Sequence, residues 1–309
     1  MFAASPAGRV VFARGPDMNQ IVFALLSRKG TLERLGIPAR HHGQFMISPD
    51  GKKIAAREYV MNGSNIWIYD IQRRTETRLT TSGTNEAPVW MPDGLSVIYR
   101  EATDQKVRVL RRTIDGLSVP DTISSNKNIW PEFVTPDGRF LGVVSSGSKG
   151  EVDVMYMGFE RLDTLVPIAA NPASTEVLSR PSRSGKYVAY TTGQTGKYEV
   201  YVQPFPPDGR AWNVTAGGGE EPVWSKDDRL LYYRNGDKLY EVDVTFGSKG
   251  LSFGKPRLIF AQPFENAWGY SYDVSPADGR LLILRGEVDL KPITSLDMIT
   301  NFTALLEKP

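Results

Sequence analysis

The sequence predicts an all-β fold, a seven-bladed β-propeller of four-stranded antiparallel blades. Three observations carry this expectation. A Ser-Pro-Asp-Gly-like turn recurs along the 309 residues, its copies are spaced by about 43 residues, and the chain between copies divides into short β-type runs. The turns read SPAG (5–8), SPDG (48–51), MPDG (91–94), TPDG (135–138), SRSG (182–185), SKDD (225–228) and SPADG (275–279). Their last positions, Gly8, Gly51, Gly94, Gly138, Gly185, Asp228 and Gly279, are separated by 43, 43, 44, 47, 43 and 51 residues. That period is the one expected of a propeller blade.

Within a unit the runs are four to seven residues long, rich in Val, Ile, Tyr, Trp and Thr, and broken by Gly, Asn, Asp or Ser. Residues 53–80 show "KIAAREY", "IWIYDI" and "TRLT" separated by "VMNGSN" and "QRRTE". This is a strand-and-hairpin pattern with no window for a typical amphipathic helix. Pro at the second turn position presets φ, and Gly at the fourth permits a left-handed exit, so each turn joins a unit's first strand to its second. One such sheet cannot bury both faces alone; stacking units around an axis does so and protects the edges. The whole of 1–309 therefore reads as a single propeller domain, with blades beginning near residues 1, 44, 87, 131, 178, 221 and 270. In the first unit "RVVFAR", "IVFALLS" and "LERLG" are expected as second, third and fourth strands. The last unit lacks an obvious fourth strand, which leaves an alternative: a six-bladed ring whose two end units share one blade.

Composition narrows the function classes. Lys+Arg 37 against Asp+Glu 35 gives a net charge of +2, and no basic run exceeds two residues, so nucleic acid is not an expected partner. With no cysteine, disulfides, thiolate catalysis and Cys-ligated zinc are excluded. The N-terminus lacks the pattern of a secretory signal, and no stretch approaches 18 uninterrupted apolar residues, so no membrane insertion of this segment is expected. Starting almost on a repeat turn, the chain is expected to be a segment of a longer protein.

The repeats at 88–99 ("PVWMPDGLSVIY") and 222–233 ("PVWSKDDRLLYY") resemble the TolB-type, WD40-like propeller repeat. The run 198–244, with "GKPRLIF" (254–260) and "YDVSPADGRLLILR" (272–285), is similar to the C-terminal propeller of bacterial serine/threonine protein kinases. That resemblance implies a sensing or docking module following a kinase domain and a membrane helix, and an extracytoplasmic or periplasmic location. The kinase motifs themselves are missing from this chain. Two turns depart from the repeat: Arg183-Ser184 replaces Pro-Asp, and Asp228 replaces Gly, so these turns are expected to differ in shape.

Catalytic patterns are few. The only histidines, His41 and His42, are adjacent and point to opposite faces if they lie on a strand, so they are poorly placed to share a metal. They read as loop residues in solvent or at a tunnel rim. No Gly-x-Ser-x-Gly elbow exists, and "GSKG" at 147–150 and 247–250 lacks P-loop spacing and reads as hairpin turns. Asp50, Asp93 and Asp137 read as turn caps rather than calcium ligands. No cofactor is expected beyond an adventitious or structural cation in the channel.

A binding surface is expected where the innermost strands begin. Residues just ahead of each turn give a channel-mouth rim of His42, Glu86, Trp130, Glu176, Glu220, Glu221, Trp268 and Tyr270, with His41, Gln44 and Asn85 nearby. Trp90 and Trp224, one residue before their turns, read as blade core. Aromatics on a rigid ring anchor a protein, peptide or small molecule, and the glutamates favour a cationic guest. The expected function is thus a non-catalytic sensor or interaction propeller; the alternative is a metal-assisted lyase or hydrolase acting on a sugar through His42, Glu86 and Glu220.

Overall fold

Alternating apolar and polar runs of this length pair into antiparallel ribbons, and the computed structural model shows how the ribbons assemble. It describes residues 2–4, 9–12, 21–28, 30–147, 150–248, 250–263, 265, 269–286 and 297–299. Among these residues every regular element is a strand, and no helix is long and apolar enough to cross a membrane.

Six antiparallel sheets follow one another along the chain, each begun by an inner strand and widened outward by hairpins. Sheet I comprises His42–Ile47, Lys53–Val60, Gly63–Asp70 and Thr75–Arg78. Sheet II comprises Thr84–Trp90, Ser96–Ala102, Val107–Thr113 and Asp121–Ser124. Sheet III comprises Ile129–Val134, Phe140–Ser146, Val152–Gly158 and Arg161–Ala169. Sheet IV comprises Glu176–Pro181, Tyr187–Thr192, Glu199–Pro204 and Trp212–Asn213. Sheet V comprises Glu220–Trp224, Leu230–Asn235, Lys238–Gly247 and Arg257–Ala261, with Gly250–Phe253 folding back on its third strand.

Sheet VI is built from both ends of the chain. Tyr272–Val274 and Leu281–Gly286 supply its inner half, and Ile21–Leu26 and Leu32–Arg34 its outer half. Around the ring the described strands make six sheets, four-stranded except for the fifth strand of sheet V and with one parallel bridge, Ser64–Thr84, linking I to II; seven blades were expected. The reason is the pairing of Ile21–Leu26, which joins Leu281–Gly286 from the C-terminal side. Val10–Phe12, expected as its neighbour, instead pairs with Phe2–Ala4 and Asp297–Ile299 in a separate three-stranded sheet. The first turn, 5–8, lies outside the described residues.

The six sheets close into a ring. Each inner strand touches the next in the order I to V, and the inner strand of sheet VI touches those of both V and I. One apolar cluster fills each junction: Phe23, Phe45 and Tyr69 between VI and I; Trp90 and Tyr99 between I and II; Val89 and Leu141 between II and III. Phe133 and Tyr190 lie between III and IV, Trp224 and Val202 between IV and V, and Tyr272 and Tyr232 between V and VI. No sheet buries its faces alone, which is why the units exist only as a stack.

Five of the six described turns share one geometry, and the sixth, 275–279, carries one extra residue. Their last residues all have positive φ: Gly51 75°, Gly94 68°, Gly138 71°, Gly185 71°, Asp228 59° and Gly279 74°. The two departures expected to change shape do not. Gly185 donates to Ser182 O at 2.9 Å and Asp228 to Ser225 O at 3.2 Å, as Gly51 does to Ser48 O at 2.8 Å. Asp228 tolerates the left-handed backbone, and its carboxylate accepts from Arg183 N (2.6 Å) and Ser184 N (2.8 Å) of the preceding sheet. The turn aspartates cap as expected: Asp50 Oδ1 accepts from Ser48 Oγ at 2.6 Å and Lys52 N at 3.0 Å.

Candidate functional site: the channel and its two mouths

The inner strands are not regular. Those of sheets I to V have a register shift against their neighbour, and in three sheets the residue four places before the turn, Ala87, Leu178 or Glu221, has a φ between 53° and 57°. A bulge inserts one residue, so the alternation of side chains reverses along the strand. The stretch ahead of the bulge and the stretch behind it therefore present different sets of residues to the channel.

Ahead of the bulge, the predicted rim residues fall mostly into inter-sheet contacts. Glu86 and Trp130 do come together: Trp130 Nε1 donates to Glu86 Oε1 at 3.0 Å. Glu86 also pairs with Arg57 (3.1 Å) and Arg100 (2.5 Å), and the Arg100 guanidinium lies 4.5 Å from the Trp130 ring centroid. Glu220 pairs with Arg234 at 3.0 Å. Trp268 lies outside the described residues.

Four of the predicted rim residues are buried instead of open to the channel mouth. His42 is 2% exposed, its ring packed 4.7 Å from Phe23 and 5.6 Å from Tyr69, and burial lowers its pKa to about 4. His41, pointing the other way, is exposed against Tyr59. Glu176 is tied to its own hairpin by Asn171 N at 3.0 Å and Thr192 Oγ1 at 2.8 Å. Glu221 pairs with Arg234 at 2.7 Å and accepts from Ser271 N (2.8 Å) and Ser271 Oγ (2.6 Å); burial pushes its carboxyl pKa up, while Arg234 opposes the shift. Tyr270 is 6% exposed beneath the Arg180 guanidinium, 4.0 Å from its ring centroid. His42, Glu86 and Glu220 thus have separate partners, and among the described residues no three His, Asp or Glu side chains gather as metal ligands.

Several of these contacts are staples between successive inner strands, which sequence reading missed. Gln44 Oε1 accepts from Ala87 N at 2.9 Å, joining I to II. Glu132 accepts from Leu178 N (2.8 Å), Ser179 N (2.7 Å) and the Ser179 hydroxyl, joining III to IV. Burial pushes the Glu132 pKa up, and these three donors pull against it. Asp273 Oδ2 accepts from Ile47 N at 2.8 Å and seals VI to I. Trp90 and Trp224, expected as blade core, donate across junctions to Met46 O (3.0 Å) and Arg180 O (3.2 Å).

Behind the bulge the channel opens. A cavity of about 300 Å³ at the turn end is lined from all six sheets. Residues two places before the turn face it: Met46, Phe133, Arg180, Val223 and Asp273. Pro49, Pro92 and Pro136, the turn prolines themselves, form its mouth together with Arg183, and Trp90 and Trp224 contribute to the wall. A much smaller void of about 50 Å³ lies toward the other end, bounded by Gln44, Ala87, Glu132, Arg180 and Tyr270. Arg180 stands between the two spaces.

Comparison with known proteins agrees with this architecture. No family profile matches the chain. An uncharacterized protein of Agrobacterium fabrum is 31% identical over 130 residues, 40% of this chain and 42% of that protein. The chain thus matches less than half the length of that relative. Among solved structures, putative TolB from Agrobacterium tumefaciens superposes with a TM-score of 0.67 at 12% identity, covering 86% of this chain and 98% of that one. TolB from Acinetobacter baumannii gives 0.58 at 18% identity, covering 79% and 68%. The β-propeller domain of the Trilobed protease from Pyrococcus furiosus gives 0.52 at 11% identity, covering 85% and 84%. At such identities the likeness shows the fold, and the fold is a TolB-like β-propeller.

Proposed function

We propose that this chain is a non-catalytic, six-bladed binding propeller that takes a protein, peptide or small molecule into the turn-end cavity of its channel. The observation that carries the reading is that cavity: every sheet contributes to its wall, and it is several times larger than the void at the opposite end. Its size matches the lower range of ligand pockets, and its lining is mostly apolar with a few polar groups, as ligand sites are. The separate engagement of His42, Glu86 and Glu220 supports binding over metal-assisted chemistry at the rim. The likeness of residues 198–285 to kinase-linked propellers supports a role as the extracytoplasmic sensing or docking part of a larger bacterial protein.

Crystals soaked with a mixed fragment set test the site. Density is expected in the turn-end cavity against Phe133 and Trp224. Density confined to the Glu86–Trp130 end would contradict the reading.

A further inference from the structure

The charged members of the cavity wall suggest what it holds. Five of the six sheets place a residue two positions before the turn in the lining, and three of these, Met46, Phe133 and Val223, are apolar. Sheet IV instead supplies Arg180, which is 8% exposed. Arg180 Nη1 donates to Glu132 O at 2.8 Å and the guanidinium stacks on Tyr270. No carboxylate lies within ion-pair distance of it among the described residues. The buried Glu132 carboxylate acts on it only through space, being held itself by Leu178 N, Ser179 N and the Ser179 hydroxyl. A buried cation with no direct ion pair is costly unless something else supplies the charge.

A second cation belongs to the same segment. Where three turns place Pro49, Pro92 and Pro136 at the mouth, sheet IV places Arg183. Its side chain is exposed while its backbone N–H is held by Asp228 Oδ1, so the turn keeps its shape. The single acidic residue of the lining, Asp273, sits two sheets away, and its oxygens already accept from Ile47 N and Val274 N at 2.8 Å each.

We infer that the turn-end cavity binds a carboxylate carried on an apolar body, with Arg180 at the floor and Arg183 at the mouth as its cationic partners. The inference rests on the cavity being the binding site, and names the chemistry it selects. Guanidinium groups pair with carboxylates through two parallel N–H donors, and burial of Arg180 strengthens that pairing. The apolar ring of Met46, Phe133, Val223 and Trp224 takes the body of the ligand. A peptide C-terminus and a small organic acid offer the same chemistry.

The test is a set of N-acetyl tripeptides with apolar side chains, each made as free acid and as amide, beside 3-phenylpropionate and its amide. Binding is read by calorimetry on the intact chain at low and high salt. Acids should bind roughly tenfold tighter than their amides, with the difference shrinking in salt. The peptide and small-acid arms show which body the cavity prefers. Arg183→Gln, at an exposed position, should weaken the acids several-fold and leave the amides unchanged; Arg180→Met should do the same more strongly. Should Arg180→Met fail to fold, Arg183→Gln and Arg183→Glu still decide the matter. Equal binding of acid and amide, lost in the cavity-filling Val223→Trp variant, would overturn the carboxylate assignment while leaving the site in place. No binding by any probe at about 1 mM would overturn both.

Discussion

Trp130 and Glu86 form a hydrogen-bonded pair across two neighbouring sheets, 3.0 Å from indole nitrogen to carboxylate oxygen. The indole also lies under Arg100, which pairs with the same carboxylate. A residue standing free on a rim would be removed without consequence for folding, whereas this one holds a junction. Trp130→Ala should therefore cost about 2–4 kcal/mol in urea unfolding, and Trp130→Phe about 1 kcal/mol. A Trp130→Ala variant as stable as the parent would return Trp130 to the role of a free anchor.

Glu132 accepts three hydrogen bonds across its junction. Its carboxylate takes two backbone N–H groups and a hydroxyl from the bulge of sheet IV, where Leu178 is held at a φ of 56°. Glu132→Ala leaves those donors unsatisfied and should cost about 2–4 kcal/mol; Glu132→Gln, retaining an acceptor, should cost less than half of that. Loss of under about 0.5 kcal/mol in the alanine variant would mean water replaces the staple fully.

Asp228 offers a test of repeat logic against structure. Restoring the repeat with Asp228→Gly relieves a left-handed non-glycine backbone, worth about 1 kcal/mol, but deletes the acceptor for Arg183 N and Ser184 N. The two lost hydrogen bonds to a charged group outweigh the relief, so the variant should be about 1–3 kcal/mol less stable. Asp228→Asn should lie between. A more stable glycine variant would show that the inter-sheet bonds contribute little.

His42 gives the protein a pH dependence of defined sign. Its folded pKa of about 4 lies below the ordinary 6.5 because burial disfavours the charged ring. Above pH 6.5 both folded and unfolded forms are neutral and stability is full. As pH falls towards 4 the unfolded chain takes up a proton that the folded core refuses, and up to about 3 kcal/mol is lost. Urea midpoints of the parent and of His42→Phe, measured from pH 7.5 to 4.5, should diverge, the variant being the flatter. Parallel curves would contradict the burial account.

The strands and turns were legible because their signals are local: Pro and Gly at fixed places and runs such as "IWIYDI" need no partner to be read. Ring closure was less so, since pairing Ile21–Leu26 with Leu281–Gly286 is set by contacts between the two ends of the chain. The rim was misread for a different reason. Counting a few residues back from each turn to place the rim ignores the bulge between His42 and Phe45, which swaps the faces. Aligning residues two places before each turn gives Met46, Val89, Phe133, Arg180, Val223 and, allowing for the extra residue in the last turn, Asp273. In that column the lone arginine stands out, and it was there to be found.

Nuclear magnetic resonance of the tryptophan indole N–H groups tests the central claim, that guests enter at the turn end, most directly. On titration with the tightest acid of the tripeptide series, the Trp90 and Trp224 signals should move while those of Trp67 and Trp130 stay in place. Shifts gathered at Trp130, with Trp90 and Trp224 unmoved, would put the binding site at the opposite mouth and contradict the account.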